Sequence, residues 1–346
     1  VGCTAYGLHN RYQTGISGRR EGSGDSTVRL DSSIGEATLS LNSAARAAIL
    51  VTANNRATER FMNRYGMRLG ASRFVAGETM DECIRIIKDL NQQGFKCNAT
   101  ELGEAVDNEA DAARAVDDYE ALLKRMAAEQ LNANVAIKPT LMGLAIDEDL
   151  AERNMAHLLE VARGLGLFMR MDMEESARVE PTLRMYRRLR EGGFTNVGAV
   201  LQSYLYRTAA DLDSLLPLAP NLRLVKGAYL ESAEVAYPSK VDVDRNYVRI
   251  MEAALLGDGY TAIATHDERM IEHAIGFIQR HRIGHDRFEF QMLYGVRPQL
   301  QRSLLARGFT VLVATSYGTH WYPFFMRRLA ERPANLLFLA RNMVRR

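Results

Sequence analysis

Arg327 and Arg328 stand side by side in Trp321-Tyr322-Pro323-Phe324-Phe325-Met326-Arg327-Arg328-Leu329-Ala330-Glu331-Arg332-Pro333, a segment of helical spacing that begins at a proline. Paired guanidinium groups hold a carboxylate or phosphate through parallel hydrogen bonds. Glu331 follows Arg327 by four residues and Arg328 by three, so on a helix it can brace either one. The chemistry this suggests is the gripping of a small anionic substrate. Solvent exposure is the usual fate of an Arg-Arg pair. Against it, Trp321, Tyr322, Phe324, Phe325 and Leu329 predict a mostly buried helix, and buried arginines need anionic partners.

A second set of polar residues recurs at the ends of short apolar runs. These are Lys138-Pro139-Thr140, Asp172-Met173-Glu174, Gln202-Ser203-Tyr204, Lys226-Gly227-Ala228-Tyr229, Thr265-His266-Asp267 and, after Gln291, Tyr294-Gly295; Arg223 lies inside its run. Each admits a plainer reading. Lys138 can cap a strand and face solvent. Asp172 can cap a helix, with Glu175 three residues on as in a capping box. Asp267 suits the same role for the next helix, and His266 suits a satisfied structural histidine better than a base. His281 and His285 have ligand spacing, but Gly284 interrupts the helix and no third ligand is evident, so no metal site is expected.

The elements that must position these groups alternate in type. Apolar runs at 73–76, 97–102, 134–138, 168–171, 197–201, 222–226, 261–265, 288–292 and 310–314 are separated, nearly throughout, by helical stretches at 79–93, 108–131, 147–165, 179–191, 209–216, 241–256, 267–279 and 299–306. That rhythm predicts a parallel sheet with crossover helices. Nine candidate strands overfill an eight-stranded barrel by one, and 73–76 is the one expected to lie outside it. An open doubly wound sheet is the rival, but neither a G-x-G-x-x-G nor a G-x-x-x-x-G-K-[ST] turn occurs. The expected fold class is therefore α/β, a (β/α)8 TIM-like barrel, whose chemistry gathers at the carboxyl ends of the strands. Ahead of it, residues 1–35 read as a flexible Gly/Ser/Arg-rich arm and 36–69 as an N-terminal helical segment, leaving 70–346 for the barrel.

Composition narrows the function classes. A formal net charge of +2 over 346 residues gives no global case for nucleic acid. Cys3, Cys83 and Cys97 have no metal-ligand spacing and fit a reducing compartment better than a disulfide framework. No apolar run approaches membrane-spanning length, and the first residues lack the order of a secretory signal. A cytoplasmic location is expected, with peripheral contact at the inner membrane face left open.

Taken in order, Lys138-Pro139-Thr140, Asp172-Met173-Glu174, Val200-Leu201-Gln202-Ser203-Tyr204-Leu205, Arg223-Leu224-Val225-Lys226-Gly227-Ala228-Tyr229, Ala264-Thr265-His266-Asp267, Phe288-Glu289-Phe290-Gln291-Met292-Leu293-Tyr294-Gly295 and Arg327-Arg328-Leu329-Ala330-Glu331-Arg332 resemble the proline dehydrogenase family, above all its short single-function bacterial members. The resemblance covers about residues 70 to 345. It implies a distorted (β/α)8 barrel with FAD at the carboxyl ends of the strands and the last helix over the mouth. It further implies that Arg327 and Arg328 hold the substrate carboxylate with help from Lys138. Glu331 would brace them, Asp172 would join the same polar cluster and Tyr229 would pack at the substrate. Arg223 would sit beside the flavin N5, with Gln202, Lys226, Gly227, Ala228, Thr265, His266 and Gln291 as further flavin contacts. The implied activity is oxidation of proline or a substituted proline by hydride transfer to FAD, with electrons passed to a quinone. A hydroxyproline dehydrogenase, a biosynthetic flavoenzyme acting on another secondary amino acid, a non-catalytic flavin- or amino-acid-binding protein and a phosphate-sugar barrel enzyme are the other readings.

The pattern departs from relatives in two places, both at the expected substrate-ring pocket. Where they carry Tyr-x-Pro-Tyr-Gly, this chain has Ala314-Thr315-Ser316-Tyr317-Gly318, and Phe324 stands where they carry a tyrosine. Hydroxyproline-preferring relatives also have a small residue at the position of Ala314. The expectation is a carboxylate clamp and flavin site kept intact, beside a widened pocket for the substrate ring. Neutral drift compensated by Tyr317 or Tyr294 is the plainer alternative.

Overall fold

A computed structural model describes residues 56–331. Eight parallel strands close into a barrel in sequential order: β1 (Lys96–Glu101), β2 (Ala133–Ile137), β3 (Met169–Met171), β4 (Val197–Gln202), β5 (Asn221–Val225), β6 (Tyr260–Ala264), β7 (Phe288–Leu293) and β8 (Val311–Tyr317). Closure is made by β1 against β8, with Asn98 opposite Ala314 and Glu101 opposite Tyr317. Helix α1 (Arg56–Leu69) precedes the barrel, and α2 (Met80–Gln92) leads into β1. Each later strand follows a crossover helix: α3 (Glu109–Ala128), α4 (Glu148–Gly164), α5 (Ser176–Glu191), α6 (Thr208–Leu215), α7 (Lys240–Leu256), α8 (Glu268–His281) and α9 (Pro298–Ala306). Helix α10 (Trp321–Glu331) follows β8. The arm, the part of the expected helical segment before residue 56, and residues 332–346 lie outside the described residues.

The expected α/β barrel is present, and local chemistry sets most helix starts. Thr79 makes a capping box with Glu82, while Asn108, Asp147 and Asp267 each accept a backbone N–H of the first turn. The run at 73–76 is no strand. Ala71–Arg73 forms a 3-10 turn, and Ala76 N donates to Ser316 O, so this segment seals the mouth end of β8 instead. The stretch expected at 179–191 begins earlier, at Ser176, and carries Pro181 inside it. A carboxylate distant in sequence caps it: Ser176 N and Oγ both donate to Glu231, each at 2.6 Å. Asp172 is thus no helix cap.

Two apolar clusters hold the fold. The larger fills the layer between strands and helices, with Ile87, Leu122, Met155, Leu183, Tyr247 and Phe290 among its fully buried members. The smaller lies at the mouth, where Trp321, Tyr322, Phe325 and Met326 of α10 pack on Ala71, Phe74, Val75 and Leu102, with Met62 and Met67 of α1 against them. Trp321, fully buried, also donates from Nε1 to Glu78 Oε1 at 2.8 Å. These contacts seat the first turns of α10 on the carboxyl end of the barrel.

Candidate active site

Paired residues in a parallel ladder share a face, so the registers identify what points inward. Asn98 pairs with Ala314 and Asn134, Ala136 with Arg170, Arg170 with Gly198, Val200 with Arg223, Arg223 with Ala262, Ala262 with Glu289, and Gln291 with Leu312. Barrel interiors are usually layers of branched apolar side chains. Here strands β3, β5 and β7 bring charged and amide groups to the axis. Gly198 makes room for one of them, since a Cβ there would lie 2.9 Å from Arg170 Nη1.

The upper layer centres on Arg223. Its Nη1 donates to Asp172 Oδ1 at 2.7 Å and its Nε to Gln291 Oε1 at 2.6 Å. Its Nη2 is buried with no hydrogen-bond partner among the described residues. In the layer below, Arg170 donates to Ala199 O, Asn221 O and Asn221 Oδ1, and Glu289 accepts from Gln291 Nε2 at 2.6 Å. Burial pushes the Arg170 guanidinium down to about 10, and Arg223 nearby adds to that push.

Around the rim, Lys138 donates to Gly103 O at 2.7 Å and is half-buried, so it ties β2 to the loop after β1. Glu174 accepts from Thr140 N at 3.1 Å and Thr140 Oγ1 at 2.7 Å, while Gln202 Nε2 donates to Glu174 O at 2.8 Å. Burial raises the Glu174 carboxyl above the usual carboxylate range, and the Thr140 hydrogen bonds offset this in part. Lys226 pairs with Asp244 at 2.7 Å and Asp267 at 3.5 Å. Gly227 adopts φ +119, and a Cβ there would drive into the Tyr204 ring. His266 Nε2 accepts from Leu293 N at 2.9 Å, which places the proton of a neutral ring on Nδ1. The structural reading of His266 accounts for that bond. Ala314 is half-buried on a strand whose neighbours are buried, so the small side chain opens onto the mouth.

The family model described as proline dehydrogenase matches residues 83–341. Proline dehydrogenase 1 of Bacillus subtilis subsp. natto is 39% identical over 301 residues, spanning 87% of this chain and 99% of that protein. The chain belongs to the proline dehydrogenase family. The proline dehydrogenase of Deinococcus radiodurans is 42% identical over 304 residues, spanning 87% and 98% of the two chains. Among solved structures, proline utilization A (PutA) from Bdellovibrio bacteriovorus, inactivated by N-propargylglycine, shares the fold with a TM-score of 0.73 at 22% identity. That match covers 87% of this chain but only 38% of the longer one.

For this proline dehydrogenase family member, the structure brings Lys138, Asp172, Gln202, Lys226, Gly227, Ala228, Tyr229, Thr265 and His266 to the carboxyl-terminal ends of the strands or the loops that follow, with Arg223, Gln291 and Ala314 inside β5, β7 and β8 on the inward face. On α10, Arg328 is half-buried and its guanidinium lies 5.5 Å from the centroid of the Phe324 ring. The side chains of Arg327 and Glu331 lie outside the described residues, although their backbones continue the helix. Sequence reasoning passed over Arg170, Glu174 and Glu289 as site residues. The signal for two of them was there: Arg170 stands two before Asp172 and Glu289 two before Gln291, the spacing of one strand face.

Proposed function

We propose that this protein is an FAD-dependent proline dehydrogenase that oxidises proline, or a ring-substituted proline, to the corresponding pyrroline carboxylate. The observation that carries the reading is Arg223, half-buried beside Asp172 and Gln291 inside a barrel whose carboxyl end seats the first turns of α10. Its Nη2 is a buried donor without a partner among the described residues, which a flavin ring bearing acceptor atoms would satisfy. The residues present therefore fit the cofactor: Arg223, Gln291 and Gln202 would face the ring system, with Lys226, Gly227, Ala228, Thr265 and His266 along the rest of the molecule.

FAD, when bound, supplies a two-electron acceptor for the hydride that leaves the carbon attached to the substrate nitrogen. The protein's part is positioning and charge. Arg327 and Arg328, assisted by Lys138, would hold the substrate carboxylate and so orient the substrate ring, which accelerates by proximity. Glu331 and Asp172 hold the cationic groups in place, and Tyr229 packs at the substrate. With FAD bound, the Arg223 cation would favour negative charge on its ring system. No strong general base is needed if the amine binds neutral, since its own lone pair forms the C=N bond.

A second reading is favoured by Ala314. A methyl group facing the mouth, where relatives carry a phenol, leaves room for a ring substituent, so 4-hydroxyproline or another secondary amino acid is the runner-up substrate. Electrons would pass on to a quinone. A cytoplasmic location with peripheral contact at the inner membrane face suits that acceptor; among the described residues no helix is long and apolar enough to cross a membrane. Steady-state kinetics on proline, trans-4-hydroxyproline and N-alkyl amino acids test the assignment. Turnover of at least one cyclic amino acid by the yellow protein supports it, and failure with all of them overturns it.

A further inference from the structure

The polar axis of the barrel contains a carboxylate with no part in the reaction as described above. Glu289 on β7 is 3% exposed and lies one layer below Gln291. Its Oε1 accepts from Gln291 Nε2 at 2.6 Å, and its Oε2 is 3.7 Å from Lys96 Nζ at the amino end of β1. Gln291 in turn accepts from Arg223 Nε at 2.6 Å. The order of donors along this row is fixed by chemistry. A guanidinium Nε can only donate, so Gln291 must present its carbonyl oxygen upward. Its amide nitrogen must then point down, where it needs an acceptor. An ionised carboxylate accepts only, so Glu289 enforces that orientation. A flipped amide would set donor against donor at Arg223 and acceptor against acceptor at Glu289.

We propose that Glu289 is a positioning residue for the flavin reaction: through Gln291 it locks the orientation of Arg223, so that Nη2 is held toward the cofactor. The inference rests on the reading of Arg223 given under Proposed function. With Asp172 holding Nη1 and Gln291 holding Nε, the guanidinium plane is fixed from two sides. Loss of the Glu289 acceptor releases one of those sides without touching the carboxylate clamp on α10.

Isosteric exchange tests this. Glu289→Met removes the acceptor beneath Gln291 in a side chain of similar length, since a glutamine there could still turn its carbonyl oxygen to the Gln291 amide, and Gln291→Glu alone sets two carboxylates in contact. The double exchange, Glu289→Gln with Gln291→Glu, restores a single order: the amide introduced at position 289 donates upward, and the carboxylate introduced at position 291 accepts both from it and from Arg223. Each single variant is expected to lower the rate of flavin reduction by about tenfold with KM for the amino acid within about twofold, and to weaken FAD binding to the apoprotein several-fold in a fluorescence titration. The double exchange is expected to recover both readouts to within about threefold of the parent. Melting temperatures of the apoproteins identify any variant that fails to fold, in which case Glu289→Asp is used for the single change. Single variants that match the parent, or a double exchange no better than the singles, would overturn the proposal. A parent protein that takes up no FAD or reduces none would instead refute the functional reading beneath it.

Discussion

Asp172 on the loop after β3 and Arg223 on β5 meet inside the barrel at 2.7 Å, with Asp172 a quarter exposed and Arg223 nearly buried. Strand β4 separates β3 from β5 in the sheet, so only the inward turn of both side chains brings them together. The pair holds a cation where the flavin ring is expected. Arg223→Lys keeps the charge but loses the fork that binds Asp172 and Gln291 together. Asp172→Asn leaves the cation without its anionic partner. Either change is predicted to slow flavin reduction by about 10–100-fold in stopped flow with little change in KM. An unchanged reduction rate would remove Arg223 from the reaction.

Ala314 sets a prediction of the opposite kind, a gain in selectivity. Ala314→Tyr fills the space at the mouth that the wild-type residue leaves. The ratio of kcat/KM for proline over trans-4-hydroxyproline is expected to rise by about tenfold, the scale of small changes in a pocket. A ratio that does not move would mean that residue 314 does not line the substrate ring.

Glu174 predicts a pH effect on stability. Burial raises its native carboxyl above the unfolded value, which is about 4.3 for glutamate. The native state then binds more protons than the unfolded chain, so stability falls as pH rises from the unfolded value toward the raised native one. Glu174→Gln is predicted to flatten the melting-temperature profile in that window, because a glutamine does not titrate there and can still accept from Thr140 N. Equal slopes in parent and variant would contradict the assignment.

Much of this architecture could be read from residues close together in sequence. Strand runs and the caps at Asn108, Asp147 and Asp267 depend on neighbours a few positions away, and the exclusion of 73–76 follows from the count of strands that a barrel closes on. What could not be read depends on distance in the chain. Glu231 caps the helix at Ser176 from 55 positions away, and Arg223 claims Asp172 from 51. The polar interior lay in between. Arg170 with Asp172 and Glu289 with Gln291 show the period of a single strand face, but that their faces meet at one axis follows only from closure of the barrel.

Gly227 marks where the backbone after β5 turns close over Tyr204. Its φ of +119 and the Tyr204 ring leave no place for a side chain. Gly227→Ala is predicted to cost about 2–4 kcal/mol, read as a lower melting temperature, and to weaken FAD binding. A variant as stable as the parent would show that this loop moves freely.

The most direct measurement is anaerobic mixing of the purified, FAD-loaded protein with proline while following the visible flavin absorbance. Bleaching by proline or by 4-hydroxyproline is the expected result. Arg327→Ala and Arg328→Ala are expected to raise the concentration required without loss of bound flavin. A protein that takes up no FAD, or whose flavin colour is indifferent to every cyclic amino acid tried, would contradict the central claim.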